Sequence, residues 1–212
     1  MAGKKVTVFD YGFGNVRSAR RALERVGADA EITHDYDQAM DADGLLVPGV
    51  GAFAACMEGL NQTRGDLVIR RRLADGRPVL GICVGMQILF DRGIEHGVET
   101  EGLGAWPGTV GPLRAPVIPH MGWNVVDAPA GSRLFAGADP GARYYFVHSH
   151  AVRDQHPESA SPRSGVPWVS RATHGEPFVA AMEAGALWAT QFHPEKSGDA
   201  GAHLLSNWIE AL

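Results

Sequence analysis

Short apolar runs and amphipathic stretches alternate through the first half of the chain, and a glycine or proline marks most of the changes. Residues 5–9, Lys-Val-Thr-Val-Phe, have the composition of a strand and give way at Asp10 to a glycine-bearing turn. Asn15 is placed to cap a helix reaching Arg25. Val16, Ala19, Leu23 and Val26 form its apolar stripe at helical spacing, and Gly27 stops it. Further strands are predicted over 30–33, 44–47 and 77–82, the one at 44–47 broken off by Pro48-Gly-Val-Gly51. Helices are predicted over 52–60, over 65–74 and from 84 to 90. Strands separated by helices cannot pair as hairpins, so they must run parallel through crossover connections. Their continuous apolar runs fit strands covered on both faces. The expected fold is therefore α/β, a mostly parallel or mixed central sheet flanked by helices.

After Gly93 the texture changes. Glycine and proline become frequent, and strand-like pieces dominate at 108–113, 123–127, 143–147, 168–172, 178–183 and 186–190. A hairpin turn is predicted at 183–186, an exposed Pro/Ser-rich loop over 154–165, and a closing helix over 197–212. These pieces predict additional antiparallel strands. No repeat or linker divides the 212 residues, so one domain over 1–212 is expected.

Composition narrows the function classes. With 45% hydrophobic and 20% charged residues the chain can bury a sizeable core. A formal net charge of −5 lacks the basic surplus that attracts a phosphate backbone, so no nucleic-acid partner is expected. No run approaches the ~18 apolar residues of a membrane span, and no secretory hydrophobic region opens the sequence. Two cysteines, Cys56 and Cys83, supply neither a disulfide framework nor a four-cysteine zinc site. A cytoplasmic protein with no cofactor is the expectation.

Cys83 stands apart. In Gly81-Ile-Cys-Val-Gly85 it sits between a buried strand and a helix, with glycine two positions to either side. This is the nucleophile-elbow pattern with cysteine in place of serine: a sharp strand-to-helix turn crowds its neighbours and lifts the side chain above the sheet edge. A helix N-terminus there favours the thiolate, which is the reactive form. A buried structural thiol is the plain alternative, and for Cys56 it is the only reading.

A thiolate nucleophile needs a base and a group to orient that base. His193-Pro-Glu195 follows the predicted strand at 186–190, so it should also lie beyond a sheet edge, with Pro194 stiffening the turn. Pro48-Gly-Val-Gly51 closes another strand, where glycine lets backbone N–H groups face an oxyanion; an ordinary turn is the alternative. His148 and His150, two apart on one strand, would share a face and could supply metal nitrogens, but no H-E-x-x-H or paired C-x-x-C completes such a site.

Leu80-Gly-Ile-Cys-Val-Gly-Met-Gln87 together with Phe192-His-Pro-Glu195 resembles the class I, triad-type glutamine amidotransferases. Asp10-Tyr-Gly-Phe-Gly-Asn15, Pro48-Gly-Val-Gly-Ala-Phe53, Pro119-His-Met-Gly-Trp-Asn124 and Tyr145-Phe-Val-His-Ser149 are similar to the glutaminase subunits of imidazole glycerol phosphate synthases. The resemblance spans nearly the whole chain. It implies a flavodoxin-like fold and a glutaminase of histidine biosynthesis. Cys83 would attack the glutamine side-chain amide, His193 would protonate the departing ammonia and Glu195 would orient His193. The backbone N–H of Val84 and the Gly49-Val50-Gly51 loop would form the oxyanion hole, and Gly49, Gln87, His148 and Ser149 would contact glutamine. The implied partner is a (β/α)8-barrel cyclase subunit, bound as a heterodimer that takes up the ammonia.

Asn15, Trp123 and Lys196 are the docking candidates; helix cap, core residue and solvated charge are their respective alternatives. The same family also contains glutaminases that serve pyridoxal, purine or carbamoyl-phosphate synthesis, and residues 120–124 speak against these. A metal-dependent hydrolase and a non-catalytic module on the same scaffold are the readings outside the family.

Overall fold

The computed structural model describes residues 3–153 and 167–212. The loop expected over 154–165 lies outside the described residues. A seven-stranded sheet forms the centre, built from β1 (Lys5–Phe9), β2 (Asp29–Thr33), β3 (Gly44–Gly49), β4 (Val79–Cys83), β11 (Trp168–His174), β12 (Glu176–Ala184) and β13 (Leu187–Thr190). Its spatial order is β11-β12-β13-β4-β3-β1-β2. From β13 to β2 all neighbours are parallel, whereas β12 runs antiparallel to both β13 and β11. The parallel part therefore has the flavodoxin-like order, with β13 in the fifth place. Every residue of β3, β4 and β13 is buried, as expected of strands covered on both faces.

The helices are α1 (Val16–Arg25), α2 (Tyr36–Asp41), α3 (Phe53–Gln62), α4 (Gly65–Ala74), α5 (Val84–Gln87) and α6 (Gly198–Glu210). Asn15 caps α1 by accepting from the Ser18 N–H, and Gly27, with φ of 87°, follows its end. The short α2 is not anticipated by the sequence pattern, although Asp35 caps it by accepting from Gln38 N–H.

Two expectations at the strand ends are corrected. β3 continues through Pro48 and Gly49, because both still pair with β4, at Ile82 and Cys83. The helix expected from 84 to 90 is a single turn, after which the chain re-enters a strand, β5 (Phe90–Glu95). Tertiary pairing overrides the helical pattern there: the Ile88, Leu89 and Phe90 carbonyls accept from Leu103, Ala105 and Gly104 N–H. β5 joins β6 (Val98–Glu101), β7 (Trp106–Pro112) and β10 (His150–Val152) in a second sheet. A third, two-stranded sheet pairs β8 (His120–Val125) with β9 (Arg143–His148). β5, β6 and β10 are not anticipated by the sequence pattern.

Arg72 of α4 is fully buried, yet ionic. Its guanidinium donates to the carbonyls of Ala39, Ala42, Asp43 and Pro78 at 2.8–3.0 Å, tying the end of α2 to the starts of β3 and β4. Burial, and then Arg77, lower its pKa to about 10, so the charge survives at neutral pH. Removing it strands several buried carbonyls, each costing ~1–3 kcal/mol. Arg72→Met is therefore expected to lose roughly 3–5 kcal/mol in urea unfolding; a loss below ~1 kcal/mol would show the guanidinium to be dispensable.

Candidate active site

The carboxyl ends of β3, β4 and β13 converge. Cys83, the last residue of β4, has φ of 57° and ψ of −114°, a left-handed conformation that a non-glycine residue adopts only under constraint. The constraint is close packing. A Cβ on Gly85 would stand 2.0 Å from the Val47 carbonyl oxygen, one on Gly81 would stand 2.5 Å from Gly85 O, and one on Gly49 would stand 2.4 Å from Gly85 N. The glycines thus let the turn fold down onto β3, and the sulfur is carried over the sheet edge. Because α5 has only four residues, its dipole is a minor influence on the sulfur. The side chains around the sulfur matter more.

Three residues beyond β13, His193 stands beside Cys83. Its Nδ1 lies 2.7 Å from Glu195 Oε1, and both side chains are buried. Pro194 opens one turn of 3-10 helix that brings the carboxylate back under the ring. Ser197 donates its hydroxyl to the His193 carbonyl at 2.6 Å, and His193 N–H donates to Tyr145 O. Among the described residues Nε2 has no partner at full hydrogen-bond geometry. Burial pulls the imidazole pKa down, but hydrogen bonding and charge from Cys83 and Glu195 outweigh burial and raise it to about 9. The ring therefore holds its proton at neutral pH, next to a sulfur.

A cavity of about 300 Å³ opens above these groups. Val50, Gly51 and Val84 line it at the ends of β3 and β4, together with Gln87, Glu95, Val147, His148, Ser149, His150 and Lys196. Gly49 lies beneath the cavity, packed on the elbow, and is not part of its lining. Gln87 is buried, and its amide nitrogen donates to His150 O at 2.9 Å and Gln191 Oε1 at 3.0 Å, leaving only its oxygen for a ligand. The Val50 carbonyl accepts from the Cys56 thiol at 3.4 Å. In a trans peptide the N–H opposes the C=O, so Gly51 N–H is turned away from Cys56. Burial pushes the Cys56 thiol up to about 11, keeping it a donor.

The two candidate metal histidines do not share one strand: β9 ends at His148, Ser149 is a bend, and His150 begins β10. Both His148 nitrogens are engaged, Nδ1 with His150 O at 2.9 Å and Nε2 with His120 Nδ1 at 3.0 Å. Since a carbonyl only accepts, Nδ1 carries the proton and Nε2 is the acceptor. Burial lowers His148 to about 3 and His120 to about 4, so both rings are neutral. His148 thus shapes the wall and has no free nitrogen for a ligand.

Of the docking candidates, Lys196 lines the cavity, and Trp123 and Asn15 do not. Trp123 is 53% exposed, which removes the core alternative, and its ring meets Tyr145 edge-on at 5.9 Å. Lys196 Nζ stands 5.9 Å from the same Tyr145 ring. Asn15 is exposed and spends its side-chain oxygen on the α1 cap. Val117, Ile118, Met121 and Val125 add exposed apolar surface around Trp123.

Two cavity-side residues escape the sequence reading. Glu95 sits in the wall with Oε1 3.5 Å from His150 Nδ1 and Oε2 accepting from Phe53 N–H. Gln191, two residues before His193, has its amide nitrogen 3.8 Å from the Cys83 sulfur. Only its position beside His193 could have drawn notice.

The family described as glutamine amidotransferase class-I matches residues 7–212. The chain belongs to the class-I glutamine amidotransferases. Imidazole glycerol phosphate synthase subunit HisH of Streptomyces avermitilis is 72% identical over 209 residues, covering 99% of this chain and 97% of that one. The same-named subunit of Mycobacterium bovis is 62% identical over 212 residues, all of both chains. These relatives put this amidotransferase in the HisH branch of its family. Among solved structures, the Thermotoga maritima PurLQS structure superposes with a TM-score of 0.72 at 18% identity, covering 99% of each chain. A GMP synthase protein from Thermoplasma acidophilum gives 0.71 at 21% identity, covering 99% of this chain and 94% of that one. At such identities these two bear on the fold alone.

Proposed function

We propose that this chain is the glutaminase subunit of an imidazole glycerol phosphate synthase, hydrolysing glutamine at Cys83 and passing ammonia to a cyclase subunit. The observation that carries the reading is the meeting of a constrained cysteine at a strand end with a buried His193–Glu195 pair, 2.7 Å apart, under one cavity. Relatives bearing the HisH subunit name over the full length favour this branch above glutaminases of other pathways.

The chemistry follows from where the protons sit. Cys83 thiolate attacks the side-chain carbonyl carbon of glutamine, and the oxygen takes up the negative charge. Val84 N–H is placed to meet that oxygen, and an N–H from the Val50–Gly51 segment joins it once the loop peptide has turned. The carbon–nitrogen bond breaks as His193 gives its Nε2 proton to the departing nitrogen, releasing ammonia and leaving a γ-glutamyl thioester. Water then attacks the thioester, His193 takes its proton, and glutamate departs as the thiolate reforms. Glu195 holds the ring's orientation and stabilises imidazolium throughout. The Glu95 carboxylate is placed to meet the α-ammonium of glutamine.

Ammonia released into water becomes mostly ammonium, which is no nucleophile, so a covered exit to a second active site is required. Lys196, which lines the cavity, and the exposed Trp123 both meet the Tyr145 ring, beside an apolar fringe suited to a partner. The glycine-bearing loop at 49–51 can rotate a peptide and thereby exchange a carbonyl for an N–H at the oxyanion. One such donor is worth ~3–4 kcal/mol of barrier. Glutamate release is therefore expected to be slow for this chain alone, and to rise by roughly two orders of magnitude or more with the cyclase and its nucleotide. Equal turnover in the three conditions would overturn partner control.

A further inference from the structure

A carboxamide, and not only an imidazole, faces the nucleophile. Gln191 is 1% exposed and sits in the turn between β13 and His193. Its backbone N–H donates to Ala180 O at 2.8 Å, which anchors it to β12. Which end of its side chain meets the sulfur is fixed by a chain of partners. The His150 carbonyl can only accept, so the group of Gln87 that meets it at 2.9 Å must be the NH2. That same NH2 meets the Gln191 side chain at 3.0 Å, so the atom it meets must be oxygen. The remaining end of Gln191 is then its NH2, and this stands 3.8 Å from Cys83 Sγ, a long N–H···S contact that a charged sulfur can draw in. His148 Nδ1 donates to the same His150 carbonyl and holds it in place.

We propose that Gln191 is a catalytic residue of this site, its carboxamide donating an N–H to the Cys83 sulfur and stabilising the thiolate that attacks glutamine. Gln87 acts through it as a positioning residue. The proposal rests on the reading of Cys83 as nucleophile. Physically, a donor fixed in advance at a buried position stabilises a localised charge more than mobile water does, because no dipole has to turn when the charge forms. His193 cannot do this alone throughout the cycle, since it gives up its proton to the departing ammonia. The Gln191 amide keeps its hydrogens, so it can still receive the thiolate when the thioester is hydrolysed.

The test compares the parent chain with Gln191→Met, which keeps the shape without a donor, and Gln191→Glu, which puts an acceptor there. Iodoacetamide labelling across a pH series, resolved by mass between Cys83 and the deeply buried Cys56, reads the thiolate directly. Both variants are expected to label Cys83 at higher pH than the parent. In the complex with the cyclase, each is expected to lose tenfold or more in kcat with KM little changed. A residue that merely packs would leave the labelling profile in place. A second measurement needs no substitution: in the 15N-labelled parent, the Gln191 side-chain amide is expected to shift with the same midpoint as Cys83 labelling. An unmoved labelling profile in folded variants, or an amide signal indifferent to the Cys83 titration, overturns the proposal while leaving Cys83 the nucleophile. Failure of the parent's Cys83 to label at any pH would strike the nucleophile reading itself.

Discussion

Cys83→Ser is expected to leave the fold intact and to lower glutamine hydrolysis by several orders of magnitude, roughly 10⁴-fold or more. The substitution exchanges one atom in a residue that is already buried, so packing changes little. Chemically it changes a great deal. A serine hydroxyl ionises far less readily than a thiol, and an alkoxide is a worse leaving group from the acyl intermediate. It also reaches His193. The His193 pKa is raised to about 9 against the pull of burial by hydrogen bonding and charge from both Cys83 and Glu195. Without the sulfur one of these two supports is lost and the pKa moves back down, so less imidazolium is present to protonate ammonia. Groups that act as one unit fail together, which is why the loss exceeds what a single weakened contact would give. Glutamate release by the complex measures the loss, and synthesis from added ammonium salt by the same complex should persist. Retention of glutamine-dependent turnover within tenfold of the parent would show that another group attacks the amide.

The parts of this site that were legible in the sequence are those whose constraint lies within a few residues. Gly81 and Gly85 are readable because the backbone turn around Cys83 leaves no room for a Cβ at either position. His193, Pro194 and Glu195 are readable because a carboxylate two residues from an imidazole returns to it through one turn. Trp123 was open between core and surface, because alternation along a two-stranded ribbon does not say which face is covered; the exposed face carries it. Where the decisive partner is remote, the sequence is silent. Arg72 looks like one more cation of α4 until the carbonyls of residues 39–43 and 78 close around it. The stretch after Gln87 looks helical until residues 103–105 take its carbonyls. Gln191 draws no notice in sequence because its partners, Gln87 and Cys83, lie more than a hundred residues away.

Gly85→Ala is the substitution expected to disturb the site most without touching a reacting group. The added Cβ would meet Val47 O at 2.0 Å, Val47 C at 2.9 Å and Pro48 C at 3.2 Å. All three are backbone atoms of β3, so no side-chain rotation can make room. The elbow must lift or β3 must retreat by about an ångström to restore ordinary contact. β3 is held on one side by β1 and on the other by β4, and every one of its residues is buried, so retreat would loosen the centre of the sheet. Overpacking of this kind typically costs ~1–3 kcal/mol, and a rigid backbone partner puts this position at or beyond the upper end. If the elbow lifts instead, Cys83 leaves His193 and activity falls at least a hundredfold. Gly111→Ala is the control, since its Cβ meets nothing within 4 Å and its φ is an ordinary one. Thermal unfolding and glutamate release of the two variants, side by side, should show a severe loss in the first and parent-like behaviour in the second. Equal stability and activity in both would mean that the strand end bearing Cys83 is not wedged against β3, and the strained geometry of the nucleophile would then lack its cause.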